Sequence, residues 1–399
     1  MKNNGTICIP QEEFVERKEK ILAHMKEQNL DLLFVYGDEY RKENLRYVSN
    51  FWPLFERGAA IFSAVADPIV LCAPEGCKVC KEMSVWTDIR IVPDFLCVTV
   101  PDDIDYPLAN YTNFKQIAAE LRAKGCQLNR IGIVGLGDMS GALERSLSAA
   151  FAGEIVDAND ILYTLRKTKS ENEIACLREA ARIADTAYKV FMESDIIGMT
   201  EVEAAAIIEG AARKEGAEQV IFNVMGSGDR TATIIGRPAY KTIEDGDMIM
   251  CALAIQYEGY VATCEVPFAV GSISEETKHV IDVLIQASAA GIPELRPGNP
   301  MKNFVNAVKK VFRDHGLSEY DVYPPLHGIG CAEAESPYPN EGTEDVFQVG
   351  MTCNTDISLF GLAGGSNRIE EGFVITESGA QTLSPFCRKY CREWLDNIK

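Results

Sequence analysis

Two regions of different pattern meet at residues 165–173, which read LRKTKSENE. Within this stretch Ser170 is followed three residues later by Glu173. This spacing is typical of a capping box, in which each side chain satisfies a free backbone N–H of the other residue. We therefore predict that a long amphipathic helix follows Ser170 and that a second domain begins with it.

The region before this stretch alternates short apolar runs with charged helical segments. Residues 32–36 read LLFVY and are closed by Gly37 and Asp38, as expected of a buried strand. Further strands are predicted at residues 59–62, 69–71 and 131–134, with helices at 14–28 and 114–124. Such alternation predicts an α/β domain, which we assign to residues 1–160.

The region after it becomes rich in strands from Asp247 onward. Strands are predicted at residues 248–255, 260–270, 351–360 and 372–376, and helices at 275–290 and 301–315. Strands of this length with interposed helices favour an α+β domain whose sheet is mostly antiparallel. We assign residues 161–399 to this domain.

Composition excludes several classes of protein. The chain has 399 residues, more than one hydrophobic core usually supports, with 39 basic and 59 acidic residues and a formal charge of −20. A surface this acidic repels nucleic acid and anionic membranes, so neither is expected as a partner. No apolar run approaches the roughly 20 residues that span a bilayer. Thirteen scattered cysteines indicate reduced thiols and a cytoplasmic protein.

Several short motifs follow one another along the second region. They are residues 166–174, Gly246-Asp247, Gly259-Tyr260, His327-Gly-Ile-Gly330, Gly350-Met351 and Arg368-Ile-Glu370. In this order and at this spacing they resemble the creatinase, prolidase and aminopeptidase P superfamily. The resemblance implies a pita-bread catalytic domain with a central pocket, preceded by an α/β N-terminal domain, commonly in a homodimer.

The resemblance also implies a set of metal-binding positions. Metallopeptidases of this superfamily hold two divalent ions with two Asp, one His and two Glu. The matching positions in this chain are Ala252, Thr263, Cys331, Asp356 and Glu370. Two carboxylates cannot hold a pair of hard cations that draw on about six oxygens each. We therefore expect neither a metal nor another cofactor.

Creatinase is the metal-free branch of the superfamily, and its substrate-binding residues have counterparts here. Its first Glu corresponds to Glu265, two positions after Thr263, and alternation along a strand is expected to turn both side chains to one pocket. Its second Glu corresponds to Glu370. Phe55 and Arg57 resemble the Phe and Arg that reach the substrate carboxylate, although a packed aromatic beside a surface cation explains them equally well.

The catalytic histidine of creatinase has no counterpart in residues 234–238, which precede the Gly-Asp turn. His327 is the candidate replacement, since the matching histidine of the peptidases contacts substrate near the scissile bond. An ordinary imidazole pKa of about 6.5 suits proton transfer in both directions.

A function follows from these assignments. If Glu265, Asp356 and Glu370 converge without metal, a proton or a cation such as a guanidinium must relieve their repulsion. We predict a metal-independent, creatinase-type C–N hydrolase for a small amidino- or amine-bearing acid, with His327 as the proton carrier and these three carboxylates as its other catalytic residues. Two alternatives remain open, a non-catalytic ligand-binding protein of the same fold and an Xaa-Pro peptidase with unusual metal ligands.

Overall fold

The structure of the protein is a computed structural model that describes residues 7–96 and 110–398. The chain divides into two units, Met1–Arg166 and Lys167–Lys399. Within the described ranges no helix has both the length and the apolar character needed to cross a bilayer.

The N-terminal unit is built on one mixed sheet. Its described helices are α1 (Gln11–Glu27), α2 (Glu43–Ser49), α3 (Cys77–Met83), α4 (Phe114–Ala123), α5 (Gly141–Phe151) and α6 (Asn159–Lys167). Its described strands are β1 (Leu32–Asp38), β2 (Arg57–Ser63), β3 (Ala66–Cys72), β4 (Asp88–Ile91), β5 (Arg130–Val134) and β6 (Glu154–Asp157). The strand order is β4-β3-β2-β1-β5-β6.

Strand β1 lies inside this sheet, antiparallel to β2 and parallel to β5. Its first six residues are all buried, which explains why residues 32–36 are continuously apolar rather than alternating. One core cluster joins β1 to helices α4 and α5 through Phe34, Phe114 and Phe151. The predicted α/β class of this domain is confirmed.

The C-terminal unit contains long helices and short antiparallel strands. Its described helices are α7 (Glu171–Met192), α8 (Glu201–Lys214), α9 (Glu275–Gly291), α10 (Met301–Asp314) and α11 (Pro385–Ile398). Its described strands are β7 (Gln219–Ser227), β8 (Met248–Tyr257), β9 (Tyr260–Cys264), β10 (Phe268–Ala269), β11 (Leu326–Gly328), β12 (Thr352–Thr355), β13 (Ile357–Leu359), β14 (Asn367–Ile369), β15 (Gly372–Thr376) and β16 (Gly379–Thr382).

Antiparallel pairing organises these strands, as the sequence predicts. Strand β8 is the centre of one sheet and pairs with β7, β9 and β10, while a second sheet has the order β11-β12-β15-β16. The turn from β8 to β9 uses Glu258 and Gly259, both with positive φ, and such a two-residue turn matches the twist of the flanking strands. Helix α7 packs along β8 and β9, with Tyr188 donating to the carbonyl of Cys251 at 2.9 Å.

Two of the predicted strands are interrupted, each at an acidic residue. Residues 260–270 form β9 and β10, separated at Glu265, and residues 351–360 form β12 and β13, separated at Asp356. Pro267 has no N–H with which to continue a ladder. The N–H of Asp356 donates to the carbonyl of Pro325 at 3.0 Å instead of to a neighbouring strand. Because of these breaks, Glu265 and Asp356 lie just beyond the ends of β9 and β12, outside their regular strand pairing.

The predicted capping box at the start of α7 is present. The N–H of Glu173 donates to Oγ of Ser170 at 3.1 Å, and the N–H of Ser170 donates to the Glu173 carboxylate at 2.9 Å. Tyr260 also donates to this carboxylate, at 2.9 Å, and so joins the helix start to β9.

Replacing Ser170 by alanine is therefore expected to lower the free energy of unfolding by about 1 kcal/mol, because a helix N–H loses its acceptor. Thr186→Ala in the middle of the same helix is the control and is expected to be neutral or slightly stabilising, since alanine is the better helix former. Urea denaturation followed by circular dichroism measures both. Equal unfolding midpoints for the two variants would contradict a stabilising role for the cap.

Candidate functional site

A cavity of about 430 Å³ opens in the C-terminal unit. Its walls are apolar and include Phe222, Val224, Ile235, Tyr323 and Leu326. Its polar lining consists of His327, Glu333, Asp356, Arg368 and Glu370. A cavity of this size, with polar groups converging at one place, is typical of a small-molecule site.

Neighbouring strands bring these polar side chains together. Strand β11 carries His327 opposite Asn354 of β12, and Asp356 lies where β12 ends. Strand β14 carries Arg368, and Glu370 follows it and pairs with Glu265 through two backbone hydrogen bonds of 3.0 and 3.1 Å. Residues that are far apart in sequence therefore meet across three strand ends.

Arg368 is the cation at the centre of the site. Its Nε lies 2.7 Å from Oε2 of Glu265 and 3.3 Å from Oε1 of Glu370. Its Nη1 lies 3.9 Å from Oδ1 of Asp356, and its Nη2 donates to the carbonyl of Ile234 at 3.2 Å. The three carboxylates do share a planar guanidinium, but it belongs to the protein rather than to a substrate.

Burial sets the protonation of these groups. It raises the pKa of Glu265 to about 7, against the lowering effect of Arg368. The pKa of Glu370 is raised well above its usual value and that of Asp356 is also raised, in both cases chiefly by burial. Burial also opposes the charge of Arg368, but its acidic neighbours outweigh this and raise the pKa of the guanidinium. The carboxylates therefore hold protons more readily than exposed ones unless a further cation is present.

His327 faces the cavity with a defined tautomer. Its Nδ1 lies 2.8 Å from the carbonyl oxygen of Gly328, which can only accept, so Nδ1 carries the proton. In the neutral ring Nε2 then keeps its lone pair. This nitrogen lies 3.8 Å from Oε1 of Glu333.

Glu333 is a site residue that the sequence interpretation missed. It lies in the loop after β11, and its Oε1 accepts a hydrogen bond from the Thr263 hydroxyl at 3.3 Å. The signal was its position six residues after His327 in the run HGIGCAEAE, where a glycine-rich loop lets acidic side chains return to the histidine.

The other predicted residues lie elsewhere. Glu265 is fully buried and is not among the residues that line the cavity, whereas its partner Arg368 is. Phe55 is 45% exposed, and Arg57 donates to the carbonyl of Leu96 at 3.2 Å. Both belong to the N-terminal unit, and their role in substrate binding stays a prediction.

The two-ion centre of the superfamily does not fit this site. Ala252 has no donor atom and packs in an apolar cluster with Val224, Met250 and Phe360. Thr263 offers only a hydroxyl, which donates to Glu333. Cys331, at the position of the family histidine, is not among the residues that line the cavity, whereas His327 is.

Known proteins of similar sequence and structure cover nearly the whole chain. An Xaa-Pro dipeptidase of Pyrococcus furiosus is 26% identical over 371 residues, which make up 92% of this chain and 97% of that protein. The prolidase structure of Pyrococcus horikoshii superposes with a TM-score of 0.79 at 23% identity, covering 92% of this chain and 98% of that one. The structure of an Xaa-Pro dipeptidase from Bacillus anthracis gives a TM-score of 0.77 at 22% identity, with 93% and 98% coverage.

These relatives overturn the expected function. The prediction of a metal-independent, creatinase-type hydrolase for a small amidino- or amine-bearing acid is wrong, because the relative matched over 97% of its own length is an Xaa-Pro dipeptidase. The absence of the creatinase histidine from residues 234–238 agrees with this correction. Non-acidic residues at family ligand positions, such as Ala252 and Thr263, therefore do not by themselves indicate the metal-free branch.

The predicted fold, in contrast, is confirmed. The model of the Creatinase/Prolidase N-terminal domain matches residues 17–168, and the prolidase structures share the two-domain architecture with its pita-bread domain. The model of metallopeptidase family M24 matches residues 175–377, which is more than half of the 399 residues. This chain therefore belongs to metallopeptidase family M24.

Proposed function

We propose that the protein is a peptidase that hydrolyses short peptides of the Xaa-Pro type. The observation that carries this proposal is the convergence of His327, Glu333 and Glu370 at the polar end of an apolar cavity. Family membership and the Xaa-Pro dipeptidase of Pyrococcus furiosus support the same reaction class, a hydrolysis of a C–N bond. A homodimer acting on a small-molecule substrate stays part of this proposal.

The shape of the cavity favours a small substrate with an apolar ring. Tyr323, Pro324 and Tyr338 line it, and Tyr323 lies against Phe360 with ring centroids 6.3 Å apart. Aromatic walls bury the flat face of a proline ring without requiring hydrogen bonds that a tertiary amide cannot donate. The reacting amide would then lie at the polar end.

Two cavity residues have the chemistry for the reaction itself. Asp356 is buried, its raised pKa suits a group that takes a proton from water and returns it to the leaving amine, and its Oδ1 has no hydrogen-bond partner among the described residues. Arg368 presents Nη1 near this carboxylate and can stabilise the negative oxygen of a tetrahedral intermediate. His327, Glu333 and Glu370 lie at the same polar end, next to the place of the reacting amide.

A panel of Xaa-Pro dipeptides, assayed with and without added Mn²⁺ or Zn²⁺, tests the proposal. We expect the wild type to release free proline and Asp356→Asn to lower kcat by about a hundredfold or more, since it loses the acid–base group. Cys331→Ser is the control and is expected to retain wild-type turnover, because Cys331 does not line the cavity. Equal kcat for Asp356→Asn and wild type would rule out this role.

A second candidate function is peptide binding without turnover. It is favoured by Arg368, which already neutralises carboxylates of the site, and by the apolar Ala252 at a family ligand position. Calorimetric binding of Xaa-Pro dipeptides by a wild-type protein that releases no proline under any metal condition would favour this candidate over the peptidase.

A further inference from the structure

Three side chains of the cavity lie close enough together to bind one metal ion. His327, Glu333 and Glu370 each offer a ligand atom, and these atoms lie within 4.8 Å of one another. The 3.8 Å between Nε2 of His327 and Oε1 of Glu333 is too long for a hydrogen bond. Ligands bonded at about 2.0–2.2 Å to one tetrahedral ion lie roughly 3.3–3.6 Å apart, so small side-chain shifts would complete the geometry.

The surroundings of His327 and Glu370 hold both side chains ready to bind. Nδ1–H of His327 donates to the carbonyl of Gly328, which directs the Nε2 lone pair to the carboxylates. Metal-binding histidines are oriented in this way by a backbone carbonyl. Oε2 of Glu370 accepts from the Asn354 amide at 3.0 Å, which fixes the orientation of this carboxylate.

Glu333 supplies a carboxylate close to Thr263, which stands at one of the superfamily's aspartate positions. The 3.3 Å hydrogen bond from the Thr263 hydroxyl places this carboxylate beside that position, although it comes from a different loop. Thr263 has no carboxylate, and Glu333 places one next to its hydroxyl.

The site also holds more carboxylates than positively charged groups to balance them. Glu265, Asp356 and Glu370 lie 2.7, 3.9 and 3.3 Å from the guanidinium of Arg368. Glu333 adds a further carboxylate close to Glu370. Asp356 is only 8% exposed, and its Oδ1, on the cavity lining, has no hydrogen-bond partner among the described residues. A buried carboxylate oxygen of this kind is costly unless a cation or donor approaches it.

We propose that the protein binds a single divalent transition-metal ion through Nε2 of His327 and the carboxylates of Glu333 and Glu370, with the Asp356 carboxylate beside the ion but not bound to it. One imidazole with carboxylates suits Zn²⁺ or Mn²⁺. This one-ion site replaces the two-ion centre that Ala252, Thr263 and Cys331 exclude. This inference rests on the proposed peptidase function and extends it, but binding of the ion is measured without any peptide.

Metal content and metal binding test the site directly. After dialysis against a chelator, titration with Zn²⁺ or Mn²⁺ in a calorimeter is expected to give one ion per chain. Glu333→Gln and His327→Ala are each expected to weaken binding by roughly a hundredfold or more, since each removes a ligand. Cys331→Ser is the matched control and is expected to bind as wild type. Two ions per chain, no ion, or unchanged binding by Glu333→Gln would overturn the proposal.

A second cluster, Asp185 with Cys264 and Cys387, could hold an ion instead, and the absorption spectrum of the Co²⁺ protein distinguishes the two sites. Co²⁺ at His327 is expected to show d–d bands without a thiolate charge-transfer band. A strong thiolate band that disappears in Cys387→Ser would place the ion at the second cluster and overturn the proposal. A protein that binds one ion at His327 but cleaves no peptide keeps this site and loses the peptidase assignment.

Discussion

Arg368→Met is expected to destabilise the C-terminal unit by about 3–5 kcal/mol, because the change leaves buried carboxylates without their counter-ion. Glu265 is fully buried and its Oε2 lies 2.7 Å from Nε of Arg368. Glu370, at 3.3 Å from the same nitrogen, loses the same partner. Urea denaturation in the presence of a chelator measures the effect without interference from bound ions.

Two further variants identify the cause of this loss. The double variant Arg368→Met with Glu265→Gln is expected to recover part of the stability, since it removes the charge most closely paired with the guanidinium. Arg182→Met removes ion pairs with Glu179 and Glu215, in which the arginine side chain is 47% exposed, and is expected to cost about 0–1 kcal/mol for each pair. If Arg368→Met unfolds at the same urea concentration as Arg182→Met, Arg368 does not serve as the internal counter-ion.

Lys169→Met is expected to cost a similar 3–5 kcal/mol and also to disturb the site. Nζ of Lys169 lies 2.6 Å from Oε1 of Glu335, and the two side chains are 1% and 6% exposed. This ion pair joins the residue before the α7 cap to the loop that carries Glu333. Gly330 lets the pair approach, since a Cβ there would lie 2.4 Å from Oε1 of Glu335.

Denaturation and metal titration of the same Lys169→Met protein separate these two effects. We expect a lower unfolding midpoint and weaker metal binding, because Glu333 loses its fixed position. Lys302→Met is the matched control, since its partner Glu344 is 72% exposed and such a pair contributes about 0–1 kcal/mol. Wild-type metal affinity in Lys169→Met would show that the ion pair stabilises the fold without positioning Glu333.

Local pattern was sufficient to predict most of the architecture. The apolar run at residues 32–36 and the capping box at Ser170 each form the predicted element. These features depend on residues close together in the chain, such as the two partners of a cap hydrogen bond, and therefore can be predicted from short stretches of sequence. The breaks at Glu265 and Asp356 could not, because they depend on which distant strand accepts each backbone N–H.

The site shows the same division between local and distant information. The sequence by itself determined that Ala252 and Thr263 cannot serve as acidic ligands, and the motif around His327 marked the loop that reaches the cavity. Only the tertiary structure decided that Arg368 neutralises Glu265 and that Glu333 lies beside Thr263. The physical reason is that charge pairing depends on distance in space. Arg368 and Glu265 are 103 residues apart in the chain and 2.7 Å apart in the fold.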